Sequence, residues 1–397
     1  MESSTPGKPV LYVVSSNFDL RYSRGTVIAV DTSKLSEPPD GVLDRGATPA
    51  VDPEKGFALI DSFGGEIGTY APASSSAVRL FVPTRSANRL YALTADGAKL
   101  SCLPDAATDK GQDCLDQGIT LQDATDSKKR TVDPFGVTVV GSRVFITHLH
   151  ITDDPPLSGK NRVSYLASLD AETLGGLSFL DIGLAPAQGM AMTPNGLYLA
   201  GRELTSSSDQ LSSQALRFVS GTTINDVGLT SSIHVYEARG VALASDQARL
   251  FATTRSPDGL LVLDITLDPT SGQPRNRVLS FTSLPTGPAE MLVIPRPGRR
   301  DLVAVSCTSS NSVALYDDEL GEPAGLVQGI LEPFAMARSG IPGRPQGARL
   351  YVASFGNHTV DVVDILDVDR PRGALVVGQL GFGAHRPLGL DLPEGAK

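Results

Sequence analysis

His148-Leu149-His150 is a close histidine pair in a chain that holds five histidines. On an extended strand residues i and i+2 point to the same side, so both imidazoles could reach one metal ion. Asp153 and Asp154 follow at once and could add oxygen ligands. A third fixed ligand does not emerge from the sequence, and a hydrogen-bonded or solvent-facing pair is the competing reading. A divalent-cation site at His148, His150 and Asp153 is therefore the only cofactor reading the chain offers; otherwise none is expected.

Of the three cysteines, Cys102 and Cys114 share one polar stretch. Their spacing is too wide for a Cys-x-x-Cys redox or zinc pair, and no second ligand pair is at hand. A loop-closing disulfide is expected, against the alternative of two free loop thiols, and it implies an oxidising compartment. Cys307 ends an apolar run and reads as a half-buried strand residue. The Gly-x-Ser-x-Gly elbow, the His-Glu-x-x-His zincin motif, the P-loop and the EF-hand loop are all missing. Gly381-Phe-Gly-Ala-His-Arg386 begins like a dinucleotide fingerprint but ends in Arg and lacks a βαβ setting. Asn357-His-Thr359 is a glycosylation sequon that reads as turn chemistry.

What must position such residues is a repeat. A short apolar strand, a turn, a strand of the Leu-Tyr-Val type and a third alternating strand ending in Asp recur along the chain. Gly347-Ala-Arg-Leu-Tyr-Val-Ala-Ser-Phe-Gly-Asn-His-Thr-Val-Asp-Val-Val-Asp-Ile365 is the plainest copy. The aromatic-rich strand starts at Leu11, Leu80, Val144, Leu197, Leu250, Leu302 and Leu350. A period of roughly 50 residues with three or four strands per unit is that of a propeller blade. The expected fold is all-β, a seven-bladed β-propeller over residues 9–397, preceded by a flexible tether at 1–8. The segment His385-Arg-Pro-Leu-Gly-Leu-Asp-Leu392 matches the first strand of other units. It is expected to complete the first blade, so that the C-terminal strand closes the ring and removes an open edge.

Blades such as Arg349 to Asp364 resemble the YVTN-type bacterial seven-bladed propellers, the lactonase-like and surface-layer-type superfamily. The resemblance is one of pattern over about Pro9 to Leu392; the Tyr-Val-Thr-Asn tetrapeptide itself is absent. With no tryptophan in the chain, the Trp-Asp signature of WD40 repeats and quinoprotein tryptophan docking motifs are excluded. The resemblance implies an exported or surface-associated propeller, and in a related branch a lactonase. Lactonase-type propellers work with His, Glu and Arg near the channel mouth. Glu237, Arg239, Glu290, His385 and Arg386 are of those types, without a motif-level match.

Aligning the innermost strands on their glycine ranks charges around the channel mouth. Asp133, Glu237 and Glu332, with Arg386 in the last copy, stand three residues before it. Gln188, Arg239 and Glu290 stand one before. Arg85, Arg202 and Arg255 share the end of the second strand. The ring reads as a polar ligand pocket or as ion pairs compensating one another in a wet channel. The arginines would hold an anion by forked hydrogen bonds or brace the acids.

In such a fold the loops into the innermost strand share a face, here called the top, with those between second and third strands. On it 16–24, 36–65, 95–131, 147–162 and 201–214 read as extended loops, crowding blades one to four; long loops of this kind carry function.

The charge of -10 argues against a nucleic-acid partner, and no apolar run reaches the roughly 18 residues of a membrane span. The reading favoured is a non-catalytic, exported propeller, periplasmic or on a bacterial cell surface and monomeric, that binds a protein or surface component through its top. A lactone or ester hydrolase at the channel mouth is the alternative, and a metal-binding propeller the second.

Overall fold

The computed structural model describes residues 9–17, 20, 23–35, 50–73, 75–104, 112–150, 164–182, 186–201, 215–221, 223–227, 235 and 237–381. Strands dominate, and the only helical elements among the described residues are four 3-10 turns. The strands form seven antiparallel blades. Blade 1 contributes Val10–Ser15, Gly25–Asp31 and Phe57–Ile60. Blades 2 to 7 each begin with an inner strand: Gly68–Tyr70, Val132–Val140, Ala187–Thr193, Glu237–Leu243, Pro288–Arg296 and Pro333–Ile341. Three further strands follow in sequence order within each of them, and blade 2 adds a short fifth, Ile119–Thr120, beside Arg89–Asp96.

Middle strands are buried on both faces, because each blade is flanked by two others. Gly259–Asp264 and Ser312–Asp317 are buried at every residue, so the polar-apolar alternation of a one-sided sheet is lost there. The outer strand Arg277–Ser283 holds exposed and half-buried residues only.

The core is divided into seven apolar clusters, one for each seam between neighbouring blades. Val27 and Ile60 meet Leu80 and Leu93 between blades 1 and 2. Phe81 meets Val144 and Ile146 in the next seam, and Leu166 meets Leu199 in the one after. Tyr198 and Phe218 face Leu250 and Leu261, and Phe251 faces Val303 and Tyr316. Leu302 and Leu315 face Leu350 and Val363. The last cluster joins Tyr351 and Val362 of blade 7 to Leu11 and Val30 of blade 1, so the seams run all the way round. The expected closing strand at 385–392 lies outside the described residues, as does the tether at 1–8.

Part of what reads as loop in the sequence is strand. Phe57–Ile60 lies within 36–65, and Lys99–Leu103 lies within 95–131. Both are short and lack the aromatic pattern of the second strands. Beyond the latter, the chain at 112–114 lays itself along the outer strand of blade 1. Leu59 N–H donates to Gln112 O at 2.7 Å and Cys114 N–H to Leu59 O at 3.0 Å. Arg24 pairs with Asp113 at 2.5 Å. The strap covers a sheet edge that would otherwise be open. The Cys102–Cys114 disulfide ties it to the outer strand of blade 2, with Cα atoms 5.4 Å apart.

Candidate functional site

Each inner strand of blades 3 to 7 slips register against its neighbour soon after it begins. The extra residue of a β-bulge bends the strand and turns side chains off the sheet. In blades 3 and 5 the bulge is held by a threonine. Thr147 Oγ1 accepts from Gly136 N–H at 3.0 Å and donates to Gln188 O of the next blade at 2.7 Å. Thr253 does the same for Gly240 N–H (2.8 Å) and Ala289 O (2.5 Å). Glycine is required here because the next inner strand lies so close. A Cβ on Gly240 would stand 2.7 Å from Ala289 O, and those on Gly136 and Gly189 would be closer still to Gln188 O and Arg239 O.

This register corrects the alignment by one residue in blade 6. Its bulge places Ala289 beside Arg239 and Gln188, while Glu290 falls where blades 3 to 5 have Gly136, Gly189 and Gly240. Consistently, Glu290 N–H donates to Ser306 Oγ at 3.0 Å, the bond Gly240 makes to Thr253. A glutamate at a glycine position projects across the bore.

Contacts between non-adjacent blades define that bore. Gln188 of blade 4 donates from Nε2 to Glu290 Oε1 of blade 6 at 3.3 Å. Its Oε1 accepts from Arg239 at 2.5 Å, and Arg239 Nε is paired with Glu237. The result is one polar chain, Glu237–Arg239–Gln188–Glu290. Glu66, just before the inner strand of blade 2, accepts from Val137 N–H at 3.3 Å. Burial, and then the facing Glu290 carboxylate, hold the Glu66 carboxyl well above its ordinary 4.5. Burial also raises Glu290, against Gln188, Arg239 and Arg255. Across the same bore Phe135 and Phe334 meet edge to face, ring centroids 5.8 Å apart.

Four more of the predicted residues, Asp133, Glu332, Arg85 and Arg255, lie where one blade passes to the next. Asp133 and Glu332 are placed by asparagines in left-handed turns of the preceding blade. Asn88 Oδ1 accepts Asp133 N–H at 3.0 Å, and Asn311 Oδ1 accepts Glu332 N–H at 2.9 Å. Arg85 reaches Asp133 at 3.6 Å. Arg255 donates to Pro288 O at 3.0 Å and Thr308 Oγ1 at 3.1 Å. Both arginines tie the end of one blade's second strand to the start of the next blade. Arg202, Asp153, His385 and Arg386 lie outside the described residues, as does the His150 side chain. His148 is fully buried, and its Nε2 accepts Tyr165 N–H at 3.0 Å. A metal on that nitrogen would have to displace this bond. Among the described residues no cluster of three or more His, Cys, Asp or Glu is arranged to hold a metal ion. Cys307 is buried, and burial pushes its thiol up to about 12, which makes it a poor nucleophile.

Glu66, Phe135 and Phe334 were not singled out from the sequence. The two phenylalanines were hidden in apolar strands. Glu66 follows Gly64-Gly65, whose second glycine packs on Phe135 O as Gly136 packs on Gln188 O. That glycine is the signal that marks the bore in blade 2.

No family model matches the chain, and no curated protein does. Solved structures do. One is a crystal structure described as a putative 6-phosphogluconolactonase from Bacteroides fragilis: TM-score 0.55, 10% identity, 93% of each chain covered. Another is the dihydro-heme d1 dehydrogenase NirN, at TM-score 0.53 and 11% identity. Here 95% of this chain is covered, and it spans 64% of the length of that protein. Both likenesses show the fold alone. Among the described residues no helix is long and apolar enough to cross a membrane.

Proposed function

We propose that this is a non-catalytic propeller of an extracytoplasmic compartment, periplasmic or at the cell surface, which binds a protein or surface component through its top. The chain Glu237–Arg239–Gln188–Glu290 carries the reading. Its groups at the channel mouth are committed to one another, which braces the bore and leaves recognition to the surrounding loops. The Cys102–Cys114 disulfide supports an oxidising compartment. The test is capture of envelope components on immobilised, disulfide-intact protein. A variant lacking 153–160 and shortened across 106–112 should lose capture and keep its β circular dichroism. Capture unchanged in that variant would overturn the reading.

One observation favours a second reading, a lactone or ester hydrolase. Glu66 and Glu290 face each other in the bore and burial raises both carboxyls, which puts two proton-exchanging groups side by side. Lactone turnover by the wild type that disappears in a folded Glu290→Gln variant would establish this activity in place of the binding role. Without turnover on a broad lactone and ester panel, the hydrolase reading falls.

A further inference from the structure

A second site lies on the opposite face, where inner strands end. Between blades 5 and 6 a cavity of about 700 Å³ opens, within the size range of small-ligand sites. It is framed by the first hairpin of blade 5, the first hairpin of blade 6 and the turn after Asp317. Four arginines line it against three carboxylates.

Three of the arginines are neutralised. Arg296, fully buried, gives a two-pronged grip to Asp317 at 2.8 and 2.6 Å. Arg249 holds Asp318 at 2.7 Å and Asp246 at 3.0 Å. Arg299 holds Glu319 at 2.8 Å and Asp369 at 3.3 Å. The Asp301 carboxylate is occupied by Ser245, through its N–H and its hydroxyl, both at 2.7 Å. Arg300 differs from all of these. It is exposed, and among the described residues its guanidinium makes no hydrogen bond and no ion pair within 4.0 Å; the buried Asp318 carboxylate, held by Arg249, feels its charge from further off. The turn that presents it is stiff: Pro297 and Gly298 form its tip, with Gly298 in the left-handed region at φ 74°.

The geometry points to an oxyanion site on this face: Arg300 takes the carboxylate or phosphate of a small hydroxylated ligand, whose hydroxyls donate to the rim carboxylates of Asp246 and Glu319. A guanidinium whose N–H donors are not engaged offers a planar fork to such an anion, and carboxylates accept from hydroxyls. The site is independent of the top-face reading, because the cavity and the channel mouth lie at opposite ends of the same strands.

The test is titration calorimetry in a buffer free of phosphate and carboxylate, with glycerate, glycerol 1-phosphate, inorganic phosphate and glycerol as probes. Glycerate, glycerol 1-phosphate or both should bind saturably below about 10 mM, and glycerol alone should not. Arg300→Gln should weaken that binding about tenfold or more, and Arg300→Lys, which keeps the charge without the fork, should fall between. Arg344→Gln, an exposed arginine in the matching turn of blade 7, should bind as the wild type does, with circular dichroism unchanged throughout. Which acid binds identifies the oxyanion. Saturation by neither acid, inorganic phosphate binding as tightly as either, or an Arg300→Gln variant equal to wild type would mean an adventitious ion only and overturn the proposal.

Discussion

Removing the Cys102–Cys114 bridge is the perturbation whose size can be worked out most directly. The two cysteines are 12 residues apart in sequence, so the bond closes a short loop in the unfolded chain. Chain entropy for a loop of that length gives about 3 kcal/mol of stabilisation. In the folded state the bond also anchors the strap along blade 1, where Tyr91 Oη and Arg89 add hydrogen bonds to Leu115 O at 3.3 and 2.9 Å. If the ring unfolds as one unit, an unfolding entropy of roughly 2.1 cal/mol/K per residue turns 3 kcal/mol into a loss of about 3–4 °C in Tm. The variant is Cys102→Ala with Cys114→Ala, compared with the wild type by calorimetry with and without reductant. Unreduced, denatured wild type should show one reactive thiol, that of Cys307. Three thiols, or a Tm within about 1 °C of the wild type in the variant, would refute the reasoning.

Glu66→Gln should flatten the pH dependence of stability. A carboxyl whose pKa rises on folding binds its proton more tightly when native. Between the ordinary 4.5 and the raised value the wild type therefore loses stability as pH climbs, and the variant should gain most above that window; chemical denaturation from pH 4 to 8 reads it. Arg296→Met strips buried Asp317 of its two-pronged partner, leaving only Arg299 at 4.0 Å, and should cost up to about 3–5 kcal/mol in urea unfolding, whereas Arg296→Met with Asp317→Leu should recover much of it. Gly189→Ala drives a methyl against the backbone carbonyl of Arg239 and should cost about 1–3 kcal/mol, measured by the same unfolding curves.

The blade count and the bridge were legible because both rest on local chemistry. The Leu-Tyr-Val strands recur since each must fill a seam between blades, and two cysteines in one polar stretch have little else to do. The bore was legible only in part. Glu237, Arg239 and Gln188 were found by their place before a glycine, and they do converge. Glu290 was ranked with them one residue early, because a bulge adds a residue that a sequence alignment does not count. Glu66 escaped because its short inner strand lies beside a stretch that looks like loop. The pairing of Arg255 with the start of the next blade could not be read at all, since its partners there, Gly287 O and Pro288 O, are backbone carbonyls, which have no signature in sequence.

The contact between Phe135 and Phe334 has a consequence for traffic through the molecule. Two rings meeting edge to face from blades 3 and 7 set an apolar step in a bore whose other described cross-bore contact, Gln188 to Glu290, is polar. A solute travelling along the bore from one face to the other must pass both, so the passage sorts by two chemistries in succession.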